Sequence, residues 1–389
     1  MSVPAANRII PLNDDLWLQQ ALQQAEQALP ISSPNPAVGC VIVRDGELIG
    51  QGHTQQVGGP HAEVMALRDA QARGHNVRGA TAYVTLEPCA HHGRTPPCAD
   101  ALVREGLARV VVACADPNPL VAGQGAARLR AAGIEVLQLP PEHPAAQQAR
   151  EILIGFLSRM VRNRPWVRMK VAASLDGRTA LDNGASQWIT GPAAREDGQR
   201  WRARASAVLT GIGTVLDDNP RLDVRSLPTP RQPLRVVLDS RWRTPPHAAL
   251  FSASGGVMVV GLPPQDEAAE GLRVALQATG AQCVTAPSTG VSAQDRIDIA
   301  WLLPELARQG VNELHVEAGA TLNGHLIEGD WVDEILVYLA PKLLGPGRAL
   351  AALSPLSALG DAWQGEVREV CQVGADVRVI VRPSGRERF

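Results

Sequence analysis

The sequence lacks the features that mark membrane, secreted and nucleic-acid-binding proteins. Its 389 residues contain six cysteines, too few for a disulfide framework, and the formal net charge of −2 provides no basic field for a polynucleotide backbone. No uninterrupted apolar run is long enough to span a bilayer, and residues 1–15 do not have the pattern of a signal peptide. We therefore expect a cytoplasmic protein with no membrane or nucleic-acid partner, long enough for two domains.

Three potential metal ligands lie in the first third of the chain: His61, Cys89 and Cys98. Structural zinc normally has four protein ligands, whereas three leave one tetrahedral position for a water whose pKa falls toward about 7. Glu63, two residues after His61, matches the acid that moves protons in zinc deaminases. The pattern predicts a zinc enzyme that removes an amino group from a nucleobase-like ring.

The alternative is a structural zinc knuckle or a pair of buried cysteines. Apolar residues at 64–67 place His61 and Glu63 at the start of a helix, and those at 101–103 place Cys98 at another helix start. The partial positive charge at a helix N-terminus stabilises the thiolate form that binds metal. This context favours the catalytic interpretation.

The spacing of the two thiols departs from the commonest deaminase pattern, Pro-Cys-x-x-Cys. Here eight residues, 90–97, separate them, and this loop carries His91, His92 and Arg94. Such a loop suits a substrate that ends in a phosphate, because Arg94 can bind a phosphate through two parallel hydrogen bonds. His92 and Arg94 are alternatively ordinary solvated loop residues.

The order of predicted elements is that of two α/β units. In the first unit, Asp14 or Asp15 is expected to cap a helix, Asp45-Gly46 to turn a hairpin, and further elements to occupy 81–86, 109–114, 124–132, 134–138 and 144–158. Apolar periodicity fails at 159–165, which we interpret as a linker. Strands of the second unit are expected at 166–173, 207–211, 234–239, 257–261, 313–317 and 333–339.

The second half shows no Cys/His cluster and no nucleophile–base pair, so its chemistry must come from a bound cofactor or substrate. Its best local signal is a strand ending at Glu317, a turn at Gly319 and a helix start. Successive backbone N–H groups at such a turn can hold a pyrophosphate. The same pattern also fits an ordinary turn.

Several segments together resemble the bifunctional riboflavin-biosynthesis deaminase/reductase family. In the first half these are PNPAVGCVIV at 34–43, GH at 52–53, GGPHAE at 58–63 and TLEPCAHHGRTPPC at 85–98. In the second half they are Lys170, AASLDG at 172–177, SQWIT at 186–190, positions within 214–225, and EAG at 317–319. Residues 241–310 carry the least information.

The resemblance implies an α/β protein with an N-terminal cytidine-deaminase-like three-layer domain at 13–158 and a C-terminal dihydrofolate-reductase-like domain at 166–384. It implies zinc at His61, Cys89 and Cys98, with Glu63 as proton shuttle. The remaining deaminase residues implied to contact substrate are Asn35, His53, His91 and Arg94. The substrate would be 2,5-diamino-6-ribosylamino-pyrimidinone 5′-phosphate, which loses its ring 2-amino group.

For the second domain the resemblance implies NADPH-dependent reduction of the ribosyl group of 5-amino-6-(5-phosphoribosylamino)uracil to the ribityl product. The positions implied to contact NADPH are Ala172, Trp188, Thr214, Asp218, Gly319, Ala320, Thr321, Leu322, Asn323, Gly324 and His325. Those implied to contact the substrate are Lys170, Ser186, Arg202, Leu222, Arg225 and Glu317. We also expect a homo-oligomer, a dimer or a tetramer.

Three other functions compete. A deaminase acting on tRNA or DNA would need a basic groove and the short Cys-x-x-Cys. A non-catalytic zinc module would have no use for Glu63 beside an open ligand position. A deaminase with an inactive reductase-like domain stays open at the level of sequence.

Overall fold

The computed structural model describes residues 12–90, 96–118, 122–287 and 296–389. The chain divides into two compact units, Met1–Val161 and Arg162–Phe389. None of the described helices is both long and apolar enough to cross a bilayer.

The first unit is built on a five-stranded mixed sheet. Its elements are α1 Leu12–Ala28, β1 Gly39–Arg44, β2 Glu47–His53, α2 Ala62–Ala72, β3 Thr81–Val84, α3 Cys98–Glu105, β4 Arg109–Val112, α4 Gln124–Ala131, β5 Glu135–Gln138 and α5 Pro144–Arg162. The strand order is β2-β1-β3-β4-β5, with β1 antiparallel to both neighbours and β3, β4 and β5 parallel. The predicted hairpin at Asp45-Gly46 is confirmed, since both residues have positive φ between β1 and β2.

Helices cover both faces of this sheet. A Cβ at Gly39 would lie 1.9 Å from the Ala21 carbonyl oxygen of α1, whereas one at Gly52 would lie 2.4 Å from Met65 of α2. In β1 and β2 the pairs Gly39–His53 and Cys40–Gly52 stand opposite each other. Because neighbouring strand residues point to opposite faces, α1 and α2 lie on opposite sides of the sheet. This is the three-layer arrangement that the resemblance implied.

The first helix corrects one expectation. Neither Asp14 nor Asp15 caps it, because α1 begins at Leu12. Asp14 is buried, and its carboxylate accepts hydrogen bonds from Tyr83 Oη at 2.6 Å and from the Arg109 guanidinium at 2.8 and 3.0 Å. A tertiary contact, rather than a capping preference, fixes this residue.

The last helix of the unit corrects another. The expected helix at 144–158 continues to Arg162, so most of the segment 159–165 is helical. Only residues 163–165 lie between α5 and the next strand. Arg159 and Arg162 fall within this helix without breaking it, because Arg is a good helix former.

The second unit is built on a nine-stranded sheet. Its elements are β6 Trp166–Ser174, β7 Arg178–Leu181, α6 Pro192–Arg204, β8 Ala207–Gly211, α7 Ile212–Asp218, β9 Leu234–Leu238, β10 Val257–Gly261, α8 Glu267–Ala278, β11 Gln282–Thr285, α9 Ile299–Arg308, β12 Glu313–Val316, α10 Ala320–Glu328, β13 Glu334–Ala340, β14 Gly347–Ala349, β15 Glu366–Val373 and β16 Asp376–Arg382. The order is β11-β10-β9-β8-β12-β6-β13-β16-β15, and β7 pairs separately with β14.

The first seven strands in this order, from β11 to β13, are parallel to one another. Strands β16 and β15 add an antiparallel edge next to β13. The predicted strands of this half are confirmed to within one residue at each end. Parallel strands place all their carboxyl ends at one edge of a sheet, which is where ligands bind in open α/β folds. The central strand β12 lies between β8 and β6, so the residues that follow it occupy the middle of that edge.

Candidate active sites

The first unit brings His61, Cys89 and Cys98 together. Their ligand atoms all lie within 4.8 Å of one another. His61 Nδ1 is 3.4 Å from Cys98 Sγ and 3.7 Å from Cys89 Sγ. Tetrahedral bonds of about 2.0–2.3 Å to zinc place neighbouring ligand atoms roughly 3.4–3.8 Å apart. The three side chains therefore fit one tetrahedral zinc ion.

Local structure explains why these residues converge. His61 directly precedes α2 and Cys98 is the first residue of α3, while Cys89 follows β3 by five residues. The backbone N–H of Cys98 donates to Cys89 Sγ at 3.3 Å. The N-terminus of α3 thus faces the Cys89 sulfur and favours a negative charge on it.

The pKa values of the two thiols, Cys89 and Cys98, are shifted in opposite directions. A hydrogen bond from Cys98 lowers the pKa of Cys89 to about 4, and the same contact together with burial raises the pKa of Cys98 well above its usual value. Hydrogen bonding to Cys89 raises the pKa of His61. A thiolate, the form that binds metal, is therefore already favoured at Cys89.

Glu63 lies in the first turn of α2 and is 4% exposed. Burial, followed by the charge on Cys89, raises the pKa of Glu63. Helix α2 can approach β2 closely because a Cβ at Gly50 would lie 2.4 Å from the Ala66 carbonyl oxygen. This carboxyl group is thus held inside the protein beside the ligand cluster, where burial favours its protonated form more than water does.

The other predicted deaminase residues are partly placed. His53 ends β2, and its Nδ1 lies 3.2 Å from Gln24 Oε1; burial lowers the pKa of His53. Asn35 precedes β1, and its N–H donates to the Ser32 carbonyl oxygen at 2.9 Å. His91 and Arg94 lie outside the described residues.

In the second unit, strand register places Lys170 beside Glu317. Met169 of β6 pairs with Val316 of β12, so the residues that follow them, Lys170 and Glu317, are next to each other. Both Glu317 carboxylate oxygens accept hydrogen bonds from the Arg202 guanidinium of α6, one of them at 2.9 Å. The sheet and α6 therefore bring three predicted substrate residues into one cluster.

The charges in this cluster are strongly coupled. Burial opposes ionisation of Glu317, but the Arg202 guanidinium outweighs it and holds the pKa of Glu317 well below its usual range. Burial lowers the pKa of Lys170, and Glu317 offsets this only in part. Because Glu317 is shared with Arg202, the cluster keeps an excess of positive charge that suits a phosphorylated substrate.

Two further substrate candidates adjoin Arg202. Its Nη1 donates to the Asp223 carbonyl oxygen at 3.0 Å, and the Asp223 carboxylate accepts from Arg225 Nη1 at 3.0 Å. Leu222, which directly precedes Asp223, is buried and has a positive φ of 53°. The turn thus carries Leu222 and Arg225 to the same side as Arg202.

The segment between β7 and α6 carries Ser186 and Trp188. Ser186 is half-buried, and Trp188 is 60% exposed. The Arg195 guanidinium carbon lies 4.6 Å from the centroid of the Trp188 ring. A large exposed aromatic held by a cation in this way offers a flat face to a ligand.

Two helix N-termini meet at the carboxyl ends of β8 and β12. Helix α10 starts after Gly319, and helix α7 starts after Gly211. A Cβ at Gly319 would lie 3.9 Å from Thr214 Oγ1, and one at Gly211 would lie 3.6 Å from Leu322. Adjacent helix N-termini at such an edge form an anion-binding position.

Not every predicted cofactor position faces outward. Gly319 and Thr321 are exposed and Ala320, Leu322 and His325 half-buried. Asn323 is buried, and its amide donates to the carbonyl oxygens of Ala318 and Leu350. A Cβ at Gly324 would lie 2.1 Å from the Ala352 carbonyl oxygen, so Gly324 permits close packing.

The remaining two candidates lie on neighbouring elements. Ala172 is half-buried on β6, opposite Tyr338 of β13. Asp218 ends α7, one turn after Thr214, and burial raises its pKa.

Sequence reasoning missed His315, which is 1% exposed and whose Nε2 lies 3.5 Å from Glu317 Oε1. A signal was present, because Glu313, His315 and Glu317 alternate along β12 and therefore share one face.

Comparisons with known proteins agree with both domain assignments. Residues 12–114 match the family model for the cytidine and deoxycytidylate deaminase zinc-binding region, and residues 165–379 match that for the RibD C-terminal domain. The chain is 43% identical over 379 residues to the riboflavin biosynthesis protein RibD of Escherichia coli, covering 94% of this chain and 98% of that protein. It is 42% identical over 389 residues to RibD of Haemophilus influenzae, covering 96% and 98%.

Solved structures extend the agreement to three dimensions. Acinetobacter baumannii RibD superposes with a TM-score of 0.83 at 43% identity, covering 96% of this chain and 99% of that chain. A Thermotoga maritima diaminohydroxyphosphoribosylaminopyrimidine deaminase/5-amino-6-(5-phosphoribosylamino)uracil reductase superposes with a TM-score of 0.82 at 30% identity, covering 95% and 99%. Both halves are matched together, which favours two working activities over a deaminase with an inert second half.

Proposed function

The chain belongs to the RibD family of bifunctional riboflavin-biosynthesis enzymes, and we propose from that premise which of its residues serve each reaction. The N-terminal half is a zinc-dependent deaminase and the C-terminal half is an NADPH-using reductase. The substrates follow the family: 2,5-diamino-6-ribosylamino-pyrimidinone 5′-phosphate is deaminated, and the ribosyl group of the product is reduced to a ribityl group.

For deamination, His61, Cys89 and Cys98 are the zinc ligands. Their mutual distances carry this proposal, because they match one tetrahedral ion. When bound, zinc supplies a Lewis acid that makes water nucleophilic near neutral pH. Glu63 moves protons at its carboxyl group, taking one from the water and giving one to the leaving amine, as its burial and raised pKa support.

Asn35, His53, His91 and Arg94 contact the deaminase substrate in this proposal. His53 supports it by its position, since it pairs with Gly39 at the end of the β1–β2 hairpin and its pKa is lowered toward the neutral form. A neutral imidazole can both donate and accept hydrogen bonds to a ribose or a ring. Arg94 binds the phosphate through its guanidinium.

For reduction, the substrate contacts are Lys170, Ser186, Arg202, Leu222, Arg225 and Glu317. The ion pair between Arg202 and Glu317 supports this, because it fixes a carboxylate and a cation at the carboxyl edge of β12. Lys170, adjacent to that pair, orients the ribose by hydrogen bonding from its ammonium group. The surplus positive charge of the cluster attracts the substrate phosphate.

The cofactor contacts are Ala172, Trp188, Thr214, Asp218 and the turn from Gly319 to His325. When bound, NADPH supplies the hydride. The paired N-termini of α7 and α10 support a pyrophosphate position there, with Thr214 beside Gly319. Asn323 and Gly324 serve this turn from inside the fold, holding the backbone of α10 in place.

The functional domains are 13–158 and 166–384, joined by 159–165, and the enzyme is a cytoplasmic homo-oligomer, a dimer or tetramer. An apolar face on the edge strands supports oligomerisation. Val367 and Val370 of β15 are 60% and 62% exposed and pair with Val381 and Val379 of β16 on the same face. Exposed apolar faces of this kind mark protein interfaces.

One preparation tests both assignments. The purified chain should hold one zinc ion, release ammonia from the diaminopyrimidine substrate, and oxidise NADPH on the deaminated product. A chelator should abolish ammonia release and leave NADPH oxidation on deaminated substrate unchanged. Loss of both activities on zinc removal would contradict the division of labour.

A further inference from the structure

Glu87 is a buried carboxylate that neither proposed reaction uses. It is 4% exposed and stands two residues before Cys89. Its Oε1 accepts a hydrogen bond from the Ala126 N–H at 3.0 Å, and its Oε2 accepts from the N–H of Gly123 at 3.0 Å and of Asp116 at 3.4 Å. Three backbone donors from two separate segments therefore converge on one side chain.

Two of these donors are the free N–H groups at the start of α4. Gly123 occupies the N-cap position with a left-handed φ of 77° and, as a glycine, has no side chain that could cap the helix. An N-cap side chain normally accepts from the second or third helical N–H, and Ala126 is the third residue of α4. Glu87 supplies this cap from a distant part of the chain and places a negative charge at the positive end of the helix.

The same segment is fixed on its other sides. The Glu87 N–H donates to the Cys114 carbonyl oxygen at 2.9 Å, and the Cys89 carbonyl oxygen accepts from the Ala99 N–H at 3.2 Å. A Cβ at Gly125 would lie 1.9 Å from the Pro88 carbonyl oxygen, so the peptide before Cys89 packs directly on α4. Little freedom is left to the backbone that carries the Cys89 sulfur.

We propose that Glu87 is the positioning residue of the zinc site: its carboxylate locks the segment 87–89 onto α4, so that Cys89 Sγ stands at ligand distance from His61 and Cys98. This inference rests on the ligand set proposed above. A ligand held in place by the fold loses less conformational freedom when metal binds. Removing residues that orient ligands typically weakens metal binding by about 10–100-fold.

The test is Glu87→Gln in the full-length chain, with zinc affinity measured by chelator competition. The amide keeps the size of the side chain but turns an NH2 group toward backbone donors, so the segment loosens. We expect zinc affinity to fall by about 10–100-fold. In the cobalt-loaded chain, the d–d bands should shift or broaden, because they report ligand geometry rather than helix stability.

Asp100→Asn is the matched control. Asp100 of α3 pairs with Arg128 of α4 at 2.5 Å, so it is another carboxylate that contacts α4, but its side chain is 30% exposed whereas Glu87 is 4% exposed. This variant should keep the parent's zinc affinity and cobalt spectrum. NADPH oxidation on deaminated substrate should be unchanged in both variants, which verifies that the second unit is folded, and far-UV circular dichroism at the parent's level verifies the first.

A second variant perturbs the same contact from the α4 side. Gly125→Ala leaves Glu87 intact but pushes on the Pro88 carbonyl, so it should also change the cobalt spectrum. If Glu87→Gln lowers the melting temperature while zinc affinity stays within twofold and the cobalt bands are unmoved, Glu87 is only a helix cap and the proposal is overturned. If Cys98→Ser has the same cobalt spectrum as the parent, the proposed ligand set His61, Cys89 and Cys98 is wrong. That result would contradict the proposed function and not only the role of Glu87.

Discussion

Glu63→Gln offers the sharpest separation of the two reactions. The substitution keeps the shape of the side chain but removes the group that we propose to carry protons. The zinc ligands His61, Cys89 and Cys98 are unchanged, so the metal should stay bound. Because burial raises the pKa of Glu63, replacing it with a neutral amide removes a desolvation cost, and stability should not fall.

The magnitude follows from the loss of general acid–base catalysis, which contributes about 10²–10⁴ in rate. At 1.36 kcal/mol for each factor of ten, the barrier to deamination should rise by roughly 2.7–5.4 kcal/mol. NADPH oxidation on deaminated substrate should be unaffected, since that site lies in the other compact unit.

The assay measures ammonia release, NADPH oxidation and zinc content on the same preparation. Glu47→Gln is the matched control, because Glu47 is an exposed glutamate of the same unit at the start of β2. It should retain parental values in all three measurements. If Glu63→Gln keeps more than a tenth of the deaminase rate, or loses reduction as well, our assignment of Glu63 is refuted.

Three further outcomes are expected. Arg94→Ala should raise KM for the phosphorylated deaminase substrate and change little for the dephosphorylated one, because only the former loses a charge-assisted contact; equal effects on both would make Arg94 structural. Burial lowers the pKa of His315 from 6.5, so below that pH the unfolded chain binds a proton at His315 that the folded chain does not bind. The free energy of unfolding therefore decreases as the pH falls below 6.5. Between pH 7.5 and pH 5.5, the free energy of unfolding in urea should decrease by up to about 1.4 kcal/mol more in the parent than in His315→Gln. The exposed control His247→Gln should behave like the parent. Val370→Lys should shift the enzyme toward monomers in light scattering, whereas an unchanged mass would place the interface elsewhere.

The sequence determined much of this protein by local pattern. His61 with Glu63 two residues later, and thiols at two spaced positions, specified a catalytic zinc site because ligand number and helix starts are local properties. Six strands of the second half were located to within a residue, since short apolar runs bounded by turn residues are also local, whereas β7, β11, β14, β15 and β16 were not predicted. Both the deaminase and the reductase assignments agree with the matched families.

Tertiary structure decided what depends on contacts between distant segments. Asp14 was expected to cap a helix, but it lies within α1. Its carboxylate is buried in contact with Tyr83 and Arg109. The end of α5 was placed too early, because basic residues accumulate both in connectors and in the last turns of helices. For Asp14, a capping preference worth about a kilocalorie per mole yielded to packing.

The functional clusters show the same division. No spacing along the chain indicates that Lys170, Arg202 and Glu317 form one charged group; the parallel register of β6 with β12 and the placement of α6 bring them together. Glu87 is likewise an ordinary motif residue in sequence, and its role emerges only from the α4 N–H groups that reach it across 36 and 39 positions. Local pattern fixed which chemistry the side chains can perform, whereas long-range hydrogen bonds and strand register decided which of them meet.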